Sequence, residues 1–235
     1  MGNCLFTSSI GRKLIMSISG LFLVLFLLFH MSMNLAAVFS TEAYNAICEF
    51  LGANWYALAG TLILAAGVVV HLVYATVLTL HNRSSRGSQR YAMTAEPEGV
   101  TWASRNMYVL GIIIVLGLLL HLYNFWYNMQ FAEIIGNHEL GPFPPADGAA
   151  YIAALFSSPV YCIIYLVWFA AIWFHLTHGF WSAFHTIGWD NQTWLPRLKR
   201  IANVVATIVF LCFALVVIVF YLRSLGVCGG SCAGF

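Results

Sequence analysis

Five long apolar stretches, each free of Asp, Glu, Lys and Arg, run along the chain. They cover residues 14–41, 50–82, 106–132, 149–189 and 201–222. Each reaches the roughly 20 residues that a helix needs to cross about 30 Å of hydrocarbon. Because a backbone inside lipid must satisfy its own hydrogen bonds, each stretch predicts a transmembrane helix. We place the spans approximately at 13–40, 54–82, 103–131, 152–186 and 199–223.

The composition agrees with a membrane protein. Of 235 residues, 61% are hydrophobic and only 8% are charged, whereas a soluble domain is about a quarter charged. The first apolar stretch follows Arg12 and Lys13 and is longer than the 7–15 residues of a signal-peptide core, which predicts a retained span. The sequence therefore predicts an all-α integral membrane protein, with residues 1–235 as a single transmembrane domain.

The basic residues predict the orientation. Nine of the ten lie on one side of the predicted bundle: before span one, between spans two and three, or between spans four and five. They are Arg12, Lys13, Arg83, Arg86, Arg90, Arg105, Arg197, Lys199 and Arg200. The charged residues in the loops on the opposite side are all acidic. Arg223 is the one basic residue that breaks the pattern. Since basic loops stay in the cytoplasm, we expect a multi-pass protein of a bacterial cytoplasmic membrane. Its N-terminus is expected inside and its C-terminus outside.

Histidines lie inside four of the five spans. They are His30, His71, His121, and the pair His175 and His178. Ionisable groups within a membrane are costly and usually functional. The alternative is that each is a neutral imidazole bonded to a neighbouring helix, but four histidine-bearing helices favour one shared role.

The depths of these histidines predict two layers. His30 follows Arg12 by 18 residues and His121 follows Arg105 by 16, which places both roughly 24–27 Å from the inner face. His71 precedes Arg83 by 12 residues and lies about 18 Å from that face.

The fourth span also runs inward, so His175 and His178 join His71 in the inner half. An outer pair, His30 with His121, and an inner pair, His71 with His178 or His175, predict two stacked haems, each ligated by two histidines of a four-helix enclosure.

Small residues lie beside two of these histidines. Gly67 and Gly117 precede His71 and His121 by four residues and so share their helix faces. They leave room either for a flat macrocycle or for close helix packing. A zinc site is not indicated, because no CxxC or HExxH motif is present. His81, His138 and His185 lie at helix ends or in a loop and are weaker candidates.

By these histidines and their order along the five spans, the whole chain resembles the dihaem cytochrome b anchor of succinate:quinone oxidoreductases. The resemblance is to the type with one five-helix anchor subunit. The similarity rests on SIGRK at 9–13, on His30, His71 and His121, and on His178-Gly179 within 175-HLTHGFWSAFHTIGW-189. The resemblance implies the same pairing of histidines and favours His178 as the fourth ligand. His175 remains the alternative, because it is only about 60° away on the helix and has small Ala171 four residues before it.

Some relatives carry a glutamate where this chain has Leu176, so their proton route is not expected here.

The resemblance also implies cofactors and partners. It predicts two b haems, a flavoprotein with FAD and an iron–sulfur subunit docked on the cytoplasmic side, and a membrane quinone, menaquinone, as electron partner. The chain itself is then an electron-transfer subunit without succinate or fumarate chemistry, in a complex that can form a homodimer and does not bind nucleic acid.

Further site residues are expected at the two membrane faces. Glu49 is the candidate for proton transfer to quinone, with Glu42 as runner-up, and this role calls for partial burial. At the inner face Ser17 and Trp102 are candidate partners of haem propionates, together with Arg12 and Lys13. Cys228 and Cys232 lie outside and are close enough in sequence to form a disulfide in an oxidising compartment.

Two other functions stay open. One is a b-type cytochrome anchor of another respiratory enzyme, such as a hydrogenase or formate dehydrogenase. The other is a haem-free transporter whose histidines bind protons or substrate, although no inverted repeat or broken-helix pair supports it.

Overall fold

The computed structural model describes residues 8–52, 54–85, 101–189 and 191–227, and these parts of the chain form helices without strands. The helices are α1 (Ser9–Phe39), α2 (Thr41–Phe50), α3 (Trp55–Ser85), α4 (Trp102–Arg105), α5 (Met107–His121), a π-helical segment (Leu122–Phe131), α6 (Ala132–Ile134), α7 (Gly148–Phe156), α8 (Pro159–Thr186) and α9 (Trp194–Ser224).

Five helical units are long and apolar enough to cross a membrane. They are α1, α3, the continuous stretch Met107–Ile134, α8 and α9. The predicted five-helix membrane fold is therefore confirmed. We call the end of the bundle that carries Lys13 and Arg83 the basic end, and the end that carries Glu49 and Asp147 the acidic end.

Polar caps define the ends of the first two helices. Ser8 accepts a hydrogen bond from the Gly11 amide at 3.0 Å. Ser40 has extended backbone angles and accepts from the Ala43 amide at 3.1 Å. Because such side chains satisfy amides that a helix start leaves without partners, Ser40 ends α1 and starts the short α2 in a new direction.

The fourth predicted span is divided in the structure. The expected helix over 152–186 is broken after Phe156, and α8 starts at Pro159. Proline lacks an amide hydrogen and is tolerated only in the first turn of a helix. The preceding α7 is a separate helix, capped by Asp147, and most of its residues are buried at the acidic end.

The third span changes its winding directly after His121. Residues Leu122–Phe131 form a π-helix, which is rare in proteins and is frequent at functional sites. The segment carries polar side chains that the apolar pattern does not explain. Gln130 donates to the Gly52 carbonyl at 3.0 Å and accepts from Thr61 of α3 at 2.9 Å, so the segment is tied to α3 at the acidic end.

The core lies where α1, α8 and α9 meet. Val209 and Val217 are fully buried, and Phe169 stacks on Phe213 with ring centroids 5.2 Å apart. In contrast, none of the described α3 residues in its most apolar window is buried. Helix α3 therefore lies at the edge of the bundle and packs mainly against α1.

Arg223, the exception to the charge pattern, caps α1. Its guanidinium donates to the Val38 carbonyl at 2.7 Å and to the Ala37 carbonyl at 3.5 Å. These carbonyls belong to the last turn of α1, where a cation is favourable because of the helix dipole. The structure thus supplies a local reason for a basic residue at the acidic end.

Candidate functional site

The first histidine pair joins α1 and α5. The rings of His30 and His121 have their centroids 5.7 Å apart and lie at 87° to each other. The sequence placed these two residues at similar depth, and the structure brings them together.

The second pair joins α3 and α8 and contains His175. The centroids of His71 and His175 are 6.3 Å apart, with 64° between the ring planes. His178 lies on a different side of α8, where its ring meets Trp181 at 5.0 Å. Of the two candidates for the fourth ligand, the structure therefore places His175 opposite His71, whereas the resemblance favoured His178.

The two pairs lie at separate levels of the bundle. His71 packs against Gly20 of α1, where an added Cβ would lie 3.2 Å from the imidazole Cε1. His30 follows ten residues later on the same helix, which corresponds to about 15 Å along the axis.

The spacing within each pair suits a metal between two imidazoles. A transition metal lies about 2 Å from an imidazole nitrogen, so two opposed ligand rings have centroids about 6 Å apart. The buried Nδ1 atoms of His121, His175 and His178 have no hydrogen-bond partner among the described residues, and imidazoles without partners are costly to bury. The centroid distances of the two pairs therefore match the two axial imidazoles of a haem iron, whereas the unpartnered Nδ1 atoms do not distinguish His175 from His178.

Clusters of more than two ligands are not found. Within the described residues no group of three or more His, Cys, Asp or Glu side chains is arranged to hold a metal ion.

The space beside the glycines is filled by aromatic rings. The Gly117 face is covered by the Trp168 indole, whose Nε1 donates to the Ile114 carbonyl at 3.0 Å. At Gly67 an added Cβ would lie 2.7 Å from the Phe22 ring. Of the two interpretations of these glycines, close packing describes the structure, and a macrocycle at these faces requires both rings to move.

More aromatic side chains surround the acidic-end pair. They are Phe26, Phe125, Tyr165, Trp168 and Phe213, all with ring centroids within 6.3 Å of His30 or His121. These rings can line a haem pocket. They must first move apart to make room for the macrocycle.

A chain of polar contacts leads from His30 towards the acidic end. The Asn34 amide nitrogen lies 3.3 Å from His30 Nε2, and Tyr44 donates to Asn34 Oδ1 at 3.1 Å. The Cys48 thiol lies within hydrogen-bonding range of Tyr44. Burial raises the pKa of Cys48 to about 11, and burial together with Cys48 raises the pKa of Tyr44. Both groups are therefore neutral at physiological pH.

The acidic residues proposed for quinone chemistry line an open surface pocket. Glu42 and Glu49 share it with Asn45 and Asp147. Glu49 is exposed, so the partial burial that its predicted role calls for is absent. Hydrogen bonds from its own backbone and from Ser40 lower the pKa of Glu42, which makes this carboxylate a poor proton donor near neutral pH.

The residues predicted to meet propionates have other contacts in the structure. Ser17 is buried and donates to the Lys13 carbonyl at 2.9 Å. Trp102 is 55% exposed and packs against Phe174. Their roles as propionate partners stay predictions.

The remaining candidates lie away from the two pairs or outside the described residues. His81, His138 and His185 are exposed. Cys48, Cys162 and Cys212 are free thiols, whereas Cys228 and Cys232, together with Arg86 and Arg90, lie outside the described residues.

Sequence reasoning missed two polar neighbours of the paired histidines. Asn34 lies one turn after His30 and was detectable by its spacing, since residues four apart share a helix face. Ser19 contacts His71 at 3.2 Å across 52 residues, and no local pattern identifies such a partner.

Comparison of the chain with models of protein families, with curated proteins and with solved structures finds no match.

Proposed function

We propose that the chain is a dihaem cytochrome b that anchors a succinate:quinone oxidoreductase in a bacterial cytoplasmic membrane. The observation that carries this proposal is the pairing of four histidines from four spans at two levels, with ring centroids 5.7 and 6.3 Å apart. His30 and His121 hold one b haem, and His71 holds the other with His175, in place of His178.

The paired histidines would hold each haem iron from both sides. When bound, a bis-histidine haem supplies one-electron chemistry at an iron whose potential is set by its ligands and their hydrogen bonds. The chain's own residues keep the two levels about 15 Å apart along α1 and surround them with apolar helices that exclude water.

The charge pattern supports the docking side. The basic end, with Lys13, Arg83, Arg105, Arg197 and Lys199, faces the cytoplasm by the positive-inside rule. There it meets the iron–sulfur subunit and the FAD-containing flavoprotein that interconverts succinate and fumarate. Menaquinone reacts within the membrane, and the complex can form a homodimer. If quinone reacts at the acidic end, each electron crosses the membrane potential, which is worth about 2.3 kcal/mol per 100 mV.

One observation favours the haem-free alternative. Phe22 and Trp168 occupy the glycine faces where a macrocycle was expected, which suits a transporter whose buried histidines bind protons. A b-type cytochrome of a hydrogenase or formate dehydrogenase shares the haems but not the flavoprotein partner.

A spectrum of the purified chain tests the central claim. We expect a b-type α-band in the dithionite-reduced minus oxidised spectrum and two haems per chain in the pyridine haemochromogen assay. Replacement of His30 by Ala removes the haem at the acidic end and keeps the other. A chain purified from haem-replete cells without any b-type signal would refute the proposal.

The partner subunits are tested separately. Mild detergent extraction followed by affinity purification of the tagged chain is expected to recover a flavoprotein with succinate dehydrogenase activity. Recovery of a hydrogenase or formate dehydrogenase instead would keep the haems and reject the assignment to succinate chemistry.

A further inference from the structure

A buried serine of α1 holds the ring of His71. Ser19 Oγ lies 3.2 Å from His71 Nδ1, and the same hydroxyl donates to the Met16 carbonyl at 3.0 Å. If the hydroxyl proton is directed to Met16, the oxygen offers a lone pair to the imidazole. This arrangement assigns the imidazole proton to Nδ1 and leaves the lone pair of Nε2 available.

The surroundings keep the ring in this orientation. Ser19 is 7% exposed, so water does not compete effectively for the contact. The backbone of Met16, whose carbonyl is the partner of the Ser19 hydroxyl, also lies close to this ring. On the other side, Gly20 lets the ring approach the α1 backbone, and an added Cβ there would lie 3.2 Å from Cε1.

We propose that Ser19 is a positioning residue that selects Nε2 of His71 as the iron ligand of the basic-end haem. This inference rests on the proposed function. Metal-bound histidines commonly donate their second ring N–H to a polar group, which sets the tautomer, orients the ring and raises the basicity of the ligating nitrogen.

Ser32 provides a control on the same helix. Its hydroxyl donates within α1 to the Leu28 carbonyl at 2.9 Å, as the Ser19 hydroxyl donates to Met16. Replacement of either serine by alanine removes one hydroxyl bonded to the helix backbone, but only the change at Ser19 removes the described contact with His71.

The first experiment compares Ser19→Ala, Ser19→Thr and Ser32→Ala in purified protein. Ser19→Ala is expected to weaken haem binding at the His71 site 10- to 100-fold in titrations of the haem-depleted protein. It should also raise the midpoint potential of that haem, because a less basic imidazole stabilises ferric iron less well. Ser19→Thr keeps a hydroxyl and is expected to restore both values. Ser32→Ala should leave both values unchanged, and Ser19→Ala should leave the haem at His30 unchanged. Equal effects of the two alanine variants would overturn the inference.

The second experiment needs no haem. In haem-free protein labelled with ¹⁵N-histidine, the His71 signals are assigned by their loss in His71→Gln. The wild type and Ser32→Ala should show a protonated Nδ1 and a bare Nε2, and Ser19→Ala a mixture of tautomers. A protonated Nε2 in the wild type would contradict the role of Ser19. If the wild type shows the expected tautomer but never binds haem, only the proposed function is rejected.

Discussion

At the residue scale, the two histidines of α8 have different surroundings although they are less than one turn apart. His175 faces His71 across the bundle, while His178 packs edge-on against Trp181. Three residues turn a helix by about 300°, so the two side chains leave the axis about 60° apart. Because the angle is small, the sequence does not decide which of the two histidines faces His71. In the folded bundle the same angle is enough to give the two rings different neighbours.

The different surroundings predict different consequences of substitution. His175→Ala removes an imidazole opposite His71, so we expect loss of the basic-end haem and a fall from two haems to one per chain. His178→Ala removes only a ring contact and should keep both haems. Haem content per chain, with the reduced spectra of both variants, measures this. Two haems in His175→Ala with one in His178→Ala would restore His178 as the ligand.

At the element scale, helix ends explain features that hydropathy leaves open. Pro159 separates α7 from α8, and Ser40 separates α1 from α2. In each case one residue has a backbone or side chain that suits a helix start. Hydropathy averaged over about 20 residues is insensitive to a single such residue. The prediction therefore missed the division of the fourth span.

The end of α1 yields a prediction for Arg223. Charge-assisted hydrogen bonds contribute about 1.5–3 kcal/mol, and Arg223 is partly exposed, so Arg223→Met is expected to cost about 1–2 kcal/mol. Arg197→Met is the control, since Arg197 lies near the other end of α9 and its guanidinium lies over the Trp194 ring. Thermal unfolding in detergent should show a lower Tm for Arg223→Met alone. Equal Tm values would mean that the cap does not stabilise the bundle.

At the scale of the whole molecule, five spans place the start of α1 and the end of α9 at opposite ends of the bundle. Contacts at the acidic end bring together segments that are distant in sequence, as when Asn45 donates to Asp147 at 2.7 Å. The charge difference between the two ends then predicts which end faces the cytoplasm.

Reporter fusions test this orientation in cells. Alkaline phosphatase fused after Val227 is expected to be active, because this enzyme requires export, and a fluorescent protein fused there should stay dark. Fusions in the segment between α3 and α4 should give the opposite pattern. An active phosphatase in that segment would reverse the assigned orientation, and with it the side proposed for docking of the flavoprotein.

The sequence by itself determined the five spans, the helical class and the pairing of His30 with His121. These follow from local hydropathy and from a rise of 1.5 Å per residue, which needs no knowledge of neighbouring helices. Only the tertiary structure decided that His175 meets His71, that Ser19 holds that ring, and that aromatic side chains fill the faces of Gly67 and Gly117. Each of these depends on how the helices are rotated about their axes. That rotation is set by side-chain packing between segments far apart in the chain.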